Sequence, residues 1–304
     1  MRTAVALATS IGLLLAPAGV HGWGPDAHRF LTHRALNGLP ADIRPFFAST
    51  SDYISEHSAD PDMWSVAGLK TDLGVEGFNH YFSIDAYGDA PPFANVPRDW
   101  NAYVAKYGAD RANLNGRLPW RTEELYDRLV ATFRDLGRAA EPASDTTARF
   151  LVAVLSHYVE DAHVPFHATV NADGQLTNQR GVHTRFETEL VQRYLPTLKL
   201  APVTIRPITS AREYIFDTLA RSEPLAAGIL AADRDATVGR RQRDSAYFNA
   251  FMARARPVLE QQLGDAASGA ASVVVSAWEK AGRPKLGRAG PRAASPGPAL
   301  TSVH

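Results

Sequence analysis

The residues S-H-Y-V-E-D-A-H-V-P-F-H, positions 156–167, place three histidines and an aspartate within a dozen residues. His157 and Asp161 are four residues apart, so on a helix their side chains lie on the same face. Pro165 interrupts a helix and leaves His167 on a turn beside that face. Imidazole and carboxylate groups held on a rigid element are ligands that Zn²⁺ prefers. The stretch therefore predicts a metal site at the end of a helix.

A second pair with the same spacing, His183 and Glu187, follows a polar loop at 171–180. One such pair alone is more often a solvated helix face than a ligand pair. The residues around His157, however, are leucine, valine and aromatic, which predicts a buried helix. Histidines and acids inside a core are costly unless they are paired or bind a metal. The two pairs together with His167 therefore favour a metal site.

The amino-acid composition excludes some classes of protein and some catalytic nucleophiles. The chain has 304 residues, with 32 basic and 32 acidic residues and no cysteine. Balanced charge argues against a protein that coats nucleic acid, although it allows an enzyme that grips one phosphate. Without cysteine there are no disulfides and no thiol nucleophile, and a G-x-S-x-G serine motif is also absent.

The N-terminal segment resembles an export signal. Arg2 supplies positive charge and residues 4–15 form a short apolar run, so 1–22 are predicted to be a signal peptide cleaved near Gly22. Trp23 would then be the first residue of a periplasmic or secreted protein. The apolar run is too short to span a membrane, and no other stretch is long enough.

Apolar periodicity predicts an all-α protein with one multi-helix domain at 23–281, followed by a disordered tail at 282–304 that is rich in Gly, Pro, Ala and Arg. The helix that starts from a cap at Ser144 or Asp145 and ends at Asp161 is predicted to be central and buried. Residues 59–64 are expected to break a helix, 85–98 to form an extended surface loop, and 201–208 to be extended. The other predicted helices are 29–39, 41–58, 119–139, 182–194, 211–219, 244–263 and 270–280.

The histidines and acids form an ordered series along the chain: Trp23 and His28, an aspartate, His80-Tyr81, His157-x3-Asp161-x5-His167, and His183-x3-Glu187. This series resembles the zinc-dependent phospholipase C family and the related single-strand-specific zinc nucleases of the S-one/P-one type. The resemblance implies an all-helical, secreted phosphodiesterase with three Zn²⁺. It implies nine metal ligands: Trp23, His28, Asp62, His80, His157, Asp161, His167, His183 and Glu187.

The resemblance also divides these ligands among three ions. His80, His157, Asp161 and the upstream aspartate would bind the first, Trp23 (through its amino nitrogen and carbonyl oxygen), His28 and Asp161 the second, and His167, His183 and Glu187 the third. Asp161 would bridge two ions, and both Asp62 and Asp161 are assigned catalytic roles. A water shared by the two ions would become a hydroxide near neutral pH and attack phosphorus, while the third ion would stabilise the leaving oxygen.

Two ligand positions have alternatives. Asp62 lies in a Pro-Asp pair that resembles the phospholipases, whereas Asp60 follows Ala59 as in the nucleases; we prefer Asp62. His28 lies five residues after Trp23, which matches the nuclease spacing. We prefer it to His33, which lies ten residues after Trp23.

Three further residues are given other roles. His163 is predicted to support the ligands rather than bind metal. His57 is predicted to lie at the surface or at a helix end. Glu160, next to Asp161, is expected to point elsewhere on the helix into solvent.

The motif details favour a phospholipase C-like substrate over single-stranded nucleic acid. Glu187 resembles the phospholipases, the nucleases' Gly-Gly-Asn element is absent from 178–181, and Ser83 replaces a nuclease aspartate. The phospholipases' choline-caging aromatic, however, is Met63 here, and Asp26 is a substitute for the acid that faces choline. Trp64, Phe82 and Trp120 are candidates for stacking surfaces, although each is expected first as an ordinary core or rim residue. A non-catalytic exported zinc-binding protein is the alternative from a different class, and no stable protein partner is predicted.

Overall fold

The computed structural model describes residues 23–71, 74–88, 91, 93–138, 142–240 and 242–287. The predicted signal peptide and residues 288–304 of the predicted tail lie outside this part of the chain. Within it, the start of the predicted tail packs on the fold: Trp278 Nε1 donates to Pro284 O at 2.9 Å, and Leu286 contacts the core.

The described chain is mostly helical, as predicted. Its α-helices are α1 (Pro25–Asn37), α2 (Arg44–Ala48), α3 (Ser51–His57), α4 (Asp60–Val66), α5 (Trp100–Tyr107), α6 (Ala109–Leu114), α7 (Leu118–Arg138), α8 (Pro142–Asp161), α9 (Val182–Thr184), α10 (Leu190–Tyr194), α11 (Ala211–Ser222), α12 (Leu225–Thr237) and α13 (Ser245–Lys280). Short 3₁₀ turns cover Glu76–Asn79, Ile84–Tyr87, Pro165–His167 and Leu195–Thr197, and a π-helical turn covers Arg185–Glu189.

Strands are confined to one small hairpin in the part of the chain that the structure describes. Strand β1 (Lys70–Thr71) pairs antiparallel with β2 (Gly74–Val75), with Lys70 opposite Val75. Among the described residues, no helix combines the length and the apolar character needed to cross a membrane.

Helix α8 lies at the centre of the packing. It contacts α1, α3, α4, α7 and α13, and every residue from 151 to 169 is buried. A helix covered on all sides belongs to the core rather than to an amphipathic surface layer. The predicted central helix is therefore confirmed, and its C-terminal end carries His157 and Asp161 inside the protein.

The structure corrects two boundaries among the predicted helices of the N-terminal region. The single helix predicted at 41–58 is wrong, because the chain forms α2 and α3 with a break at 49–50. The preceding helix does end before residues 59–64, as predicted, since α3 stops at His57, but residues 60–64 are themselves helical because α4 starts at Asp60 with Pro61 in its first turn. In a first turn, the missing proline N–H has no helical partner to lose.

Tertiary packing overrides local propensity in the C-terminal half. The two helices predicted at 244–263 and 270–280 are one helix, α13, which runs through Pro257, Gly264 and Gly269.

Three helices, α5, α6 and α12, were not predicted from the sequence. The segment at 85–98 is not a purely exposed loop, because Phe93 and Val96 in it are buried.

A short extended segment at 81–84 brings His80 next to the end of α8. Phe82 N donates to His167 O at 2.9 Å and Ile84 N donates to Ala168 O at 3.0 Å. On its other side, Phe82 forms a β-bridge with Gly116. Gly116 has φ +92°, and a Cβ built there would lie 1.9 Å from Tyr81 O. Only glycine fits this approach of two backbones.

Replacing Gly116 by alanine should therefore destabilise the fold strongly. We expect G116A to lower the free energy of unfolding by roughly 2–5 kcal/mol, as left-handed strain and a backbone clash add together. The matched control is G88A, at a left-handed glycine with no other group within 4 Å of its added Cβ. The control should lose only about 1–2 kcal/mol from strain. Urea unfolding measures both, and equal losses would contradict the close approach.

Candidate metal centre

Three predicted ligands form a closed triangle at the end of α8. His80 Nδ1 lies 3.1 Å from Asp161 Oδ2, His157 Nε2 lies 3.2 Å from the same oxygen, and the two ring nitrogens are 3.0 Å apart. Asp62 Oδ1 lies 3.7 Å from His80 Nδ1 and 3.8 Å from His157 Nε2. A tetrahedral Zn²⁺ with bonds of about 2.0–2.2 Å separates its ligand atoms by roughly 3.3–3.6 Å. The four side chains therefore have the spacing of a four-ligand metal site.

Asp161 presents its second oxygen to a different histidine. Its Oδ1 lies 3.5 Å from His28 Nε2, while Oδ2 faces His80 and His157. The His28 ring also stacks on the His157 ring, with centroids 4.0 Å apart. His28, Asp62 and His157 form a group whose ligand atoms all lie within 4.8 Å of one another. The resemblance implies that His28 shares an ion with Trp23 and Asp161, whereas this group joins it to Asp62 and His157. The contact with Asp161 Oδ1 nevertheless places His28 beside the carboxylate that the resemblance implies.

Trp23 lies close to these residues. Its side chain is fully buried, and its indole Nε1 donates to Glu160 O at 3.0 Å. The indole also packs against Phe186, with ring centroids 5.9 Å apart. The start of the described chain is thus held against the end of α8, one residue before Asp161.

The third predicted set is also brought together. His167, His183 and Glu187 place one potential ligand atom each within 4.8 Å of one another, and all three side chains are buried. His183 Nε2 lies 2.7 Å from Glu187 Oε2. The chain between them enters the π-helical turn, a rare element that is frequent at functional sites.

Hydrogen bonds to backbone carbonyls orient two of the histidine rings, His157 and His167. His157 Nδ1 donates to Ser58 O at 2.8 Å, and His167 Nδ1 donates to His80 O at 2.6 Å. A carbonyl oxygen can only accept, so each of these Nδ1 atoms carries the hydrogen. The opposite nitrogen, Nε2, is then left with a lone pair, and this is the tautomer a metal ligand needs.

Buried carboxylates make a bound cation favourable here. Five acidic residues are all buried, with less than 5% of each residue exposed: Asp62, Glu76, Glu160, Asp161 and Glu187. In the described part of the chain, Asp161 Oδ1 and His28 Nε2 have no hydrogen-bond partner. Buried acids in such numbers are expensive unless charge is compensated. The donor types, their spacing and these two orphaned atoms all fit a group of zinc ions.

The burial and close packing of these acidic and histidine side chains shift their pKa values. Burial, together with the nearby charges of Asp62 and Asp161, raises the pKa of Glu187 well above its ordinary value. Burial would also raise the pKa of Asp161, but the His157 and His167 rings hold it well below its ordinary value. Burial lowers the pKa of His157. A metal ion would take the place of any protons shared among these groups, since ligands bind in deprotonated form.

The structure separates the paired alternatives. We call the three sets of candidate ligands, His80/His157/Asp161, His28/Asp62/His157 and His167/His183/Glu187, the metal groups. Asp62 is buried in the metal groups, whereas Asp60 Oδ2 lies 2.6 Å from His57 Nδ1 at the partly exposed end of α3. His28 lies inside the site, whereas His33 is exposed and lies 3.1 Å from Asn37 Nδ2. The structure thus places Asp62 and His28 among the candidate ligands and Asp60 and His33 outside them.

His163 points away from the metal groups. It is buried, and its Nε2 lies 3.1 Å from Tyr214 Oη. Both residues line a cavity of about 830 Å³ between α11, α13 and residues 199–208, and none of the nine predicted ligands lines it. The His163 backbone oxygen accepts from Gln262 Nε2 at 2.7 Å, which ties the turn after Asp161 to α13.

The predicted solvent exposure of Glu160 is wrong. Its side chain is fully buried and contacts His28 and Thr32 on α1. The error arose because α8 is covered on every side, so the face that carries Glu160 meets α1 rather than water. The sequence analysis also did not identify Glu76 as part of this region. Glu76 is fully buried, and its Oε1 lies 3.8 Å from His80 Nε2. Its carboxylate accepts hydrogen bonds from Asn79 Nδ2 at 3.0 Å and from Tyr158 Oη. Its position four residues before His80 was the available signal.

Exposed apolar side chains occur on the chain segments next to candidate ligands. On α4, directly after Asp62, Met63 is 62% exposed and Val66 is 67% exposed, and Leu69 follows at 45%. Leu176, on the loop between His167 and His183, is 69% exposed. We call Met63, Val66, Leu69 and Leu176 the apolar rim.

The residues considered for substrate recognition differ in how far they are exposed to solvent. Phe82 and Trp120 are buried in the core, as their structural interpretation expected, and Trp64 is partly buried against Phe150. Tyr81 is partly buried, and its hydroxyl donates to Leu114 O at 3.0 Å. Asp26 is exposed and forms an ion pair with Arg29.

Comparisons with known proteins give little beyond this geometry. No protein-family model matches the chain, and no curated protein matches its sequence. Five chains of solved structures match, among them the Clostridium perfringens alpha-toxin isolated from avian strain SWCP. That match has a TM-score of 0.45 and 14% sequence identity, and it covers 87% of this chain and 65% of the toxin chain. A likeness this distant assigns neither family nor activity.

Replacing Asp62 should separate metal binding from folding. We expect D62N to lose about one bound Zn²⁺ per chain and to gain less thermal stability from added zinc than the wild type, because ligand binding stabilises only the folded state. In excess chelator, the same variant should be at least as stable as the wild type, because a buried charge has been removed. Elemental analysis and thermal unfolding with and without zinc measure both effects.

The matched control is D60N, which changes the neighbouring acid on the same helix. It should keep the wild-type zinc content, because Asp60 contacts His57 outside the metal groups. Loss of zinc from D60N with retention in D62N would reverse the assignment.

Proposed function

We propose that this protein is an exported zinc-dependent phosphodiesterase that hydrolyses phosphoester bonds, with a phospholipase C-like substrate. The observation that carries the proposal is the buried triangle of His80, His157 and Asp161, with Asp62 beside it. Such closely spaced nitrogen and oxygen donors suit zinc, and two further groups of the same kind surround them. In this proposal, the mature chain begins at Trp23 and holds three Zn²⁺ on the nine predicted ligands.

The bound ions would supply Lewis acidity toward phosphoryl oxygens and would lower the pKa of water. The chain itself holds the acids and rings in place. Asp161 faces two groups of ligands with its two oxygens, which suits the bridging and catalytic role proposed for it. Asp62 has a place at the edge of the same groups. Burial of these side chains keeps competing water out and strengthens their electrostatic interactions with a charged substrate.

The apolar rim favours a phospholipid over nucleic acid. Proteins that bind single strands combine a basic groove with exposed aromatic platforms. Here the exposed residues that follow Asp62 include Met63, Val66 and Leu69, although Lys70 is also exposed, and Phe82 and Trp120 are buried in the core. Apolar side chains beside a phosphoesterase site suit a substrate whose phosphate lies next to acyl chains.

A single-strand-specific nuclease is the second candidate. Tyr81 directly follows His80 and is partly accessible, so one aromatic ring is available beside the metal groups. Its hydroxyl is held by Leu114 O, which limits how far the ring can turn toward a base. A non-catalytic zinc-binding protein would keep the metal groups and turn over neither substrate.

Activity assays should rank these candidates. We expect the zinc-loaded protein to release phosphorylated head group from a phosphatidylcholine analogue faster than it cleaves single-stranded DNA or RNA. H157A should fall to background on every substrate, because it removes one corner of the ligand triangle. The matched control is H57A, at a partly exposed histidine outside the metal groups, which should keep wild-type rates.

Each outcome has a distinct meaning. Faster cleavage of single-stranded nucleic acid than of lipid would replace the preferred substrate with the second candidate. Three zinc ions per chain with no turnover of any phosphoester would contradict the enzyme assignment. Wild-type activity in H157A would contradict the site.

The apolar rim gives a further prediction about substrate. We expect the double substitution M63S/V66S to slow hydrolysis of phospholipid in vesicles while leaving hydrolysis of a water-soluble phosphodiester unchanged. Both side chains are exposed, so the substitutions should not disturb the core. The control is V238S, at a valine 72% exposed at the end of α12 and outside the rim. Equal loss on both substrates, or an unchanged rate on vesicles, would exclude the rim from lipid recognition.

A further inference from the structure

Glu160 is a fully buried acid that contacts a predicted metal ligand without being one. Its Oε2 lies 2.7 Å from His28 Nδ1, and its Oε1 accepts from Thr32 Oγ1 at 2.8 Å. His28 and Thr32 are four residues apart on α1, so they share a face of that helix. Both oxygens of Glu160 are therefore used to hold α1 in one register against α8.

The backbone of Glu160 adds a third contact to the same segment. Its carbonyl oxygen accepts from the indole Nε1 of Trp23 at 3.0 Å. One residue thus fixes Trp23, His28 and Thr32 relative to Asp161, which follows it in the chain. The N-terminal segment and the bridging acid are located by the same short piece of helix.

The contact with Glu160 decides which side of the His28 ring faces the metal groups. With Nδ1 directed to Glu160, the opposite nitrogen, Nε2, points at Asp161 Oδ1, 3.5 Å away. An Nδ1–H that donates to a carboxylate leaves the lone pair on Nε2, where a metal ion would bind. Stacking on His157 fixes the remaining tilt of the ring.

We propose that Glu160 is a positioning residue that orients His28 and raises its affinity for a metal ion. This inference rests on the proposed zinc-dependent function. His28 differs here from His157 and His167, whose outer nitrogens donate to backbone carbonyls rather than to a carboxylate. A carboxylate increases the basicity of the ring it accepts from and adds a negative charge near the ion. The ion at His28 would therefore depend on Glu160, a side chain outside the ligand set.

A purely structural role would give different results. If Glu160 only pinned α1 to α8, its removal would lower stability with and without metal by the same amount and would leave zinc affinity unchanged. If it positions His28, its removal must weaken the binding of one ion and alter the hydrogen position on the His28 ring.

The test compares E160A and E160Q with the wild type, using the exported protein after dialysis against buffered zinc. We expect E160A to bind one of the three ions about 10–100-fold more weakly, as for other residues that hold metal-binding histidines. E160Q should lose less, because its amide oxygen can still accept from Nδ1–H while the charge is gone. T32V, which removes the second contact of Glu160, should lie between E160Q and the wild type.

Two readouts separate positioning from packing. Competition with a chromophoric chelator gives the affinity of each ion, and the ¹⁵N shifts of the His28 ring in the zinc-loaded protein show which ring nitrogen carries the hydrogen. The wild type should hold hydrogen on Nδ1, and E160A should show a mixture. The control is L31A, which removes a fully buried side chain on α1 and should lower stability with no change in zinc affinity or tautomer.

The outcomes distinguish this inference from the function it rests on. Wild-type zinc affinity and an unchanged His28 tautomer in both E160A and E160Q would overturn the positioning role while leaving the metal site intact. A wild-type protein that binds no zinc would instead contradict the proposed function itself. If E160A does not fold, the comparison of E160Q and T32V with the wild type decides the question.

Discussion

The carboxylate of Asp161 is the constraint on which the rest of the site depends. It is fully buried, it lies within 3.5 Å of nitrogens on His28, His80 and His157, and each of these histidines comes from a different part of the chain. An isolated carboxylate in a protein interior would be strongly disfavoured. The fold therefore has to bring compensating groups to it, and helices α1 and α8 and the segment at 80–84 are arranged so that they do.

This constraint explains features that look unrelated in the sequence. The 3₁₀ turn at Pro165–His167 ends α8 just beyond Asp161, and its carbonyl at His167 accepts from Phe82, which fixes the segment carrying His80. Gly116 allows that segment to approach closely from the other side. Glu160 holds α1, and with it His28, from behind. Each contact lies outside the metal groups but determines where a ligand points.

The sequence was sufficient for the helical class and the central helix, because these follow from patterns within a few residues of one another, and the structure brings the predicted ligands together in three candidate groups. His157 and Asp161 are one helical turn apart, and the apolar residues before them predict burial. Helix boundaries were harder. Pro61 starts a helix where it was expected to end one, and Gly264 and Gly269 lie within a continuous α13. The burial of Glu160 was mispredicted and Glu76 was missed because their partners, His28 and Tyr158, are distant in sequence and are found only once the chain is folded.

The central claim is that the end of α8 holds zinc, and anomalous X-ray scattering at the zinc absorption edge tests it most directly. Crystals of the zinc-loaded protein should show a peak about 2.0–2.2 Å from His80 Nδ1, His157 Nε2 and Asp161 Oδ2, with two further peaks nearby. Absence of an anomalous peak among these three atoms, in protein purified and crystallised with zinc present, would contradict the account.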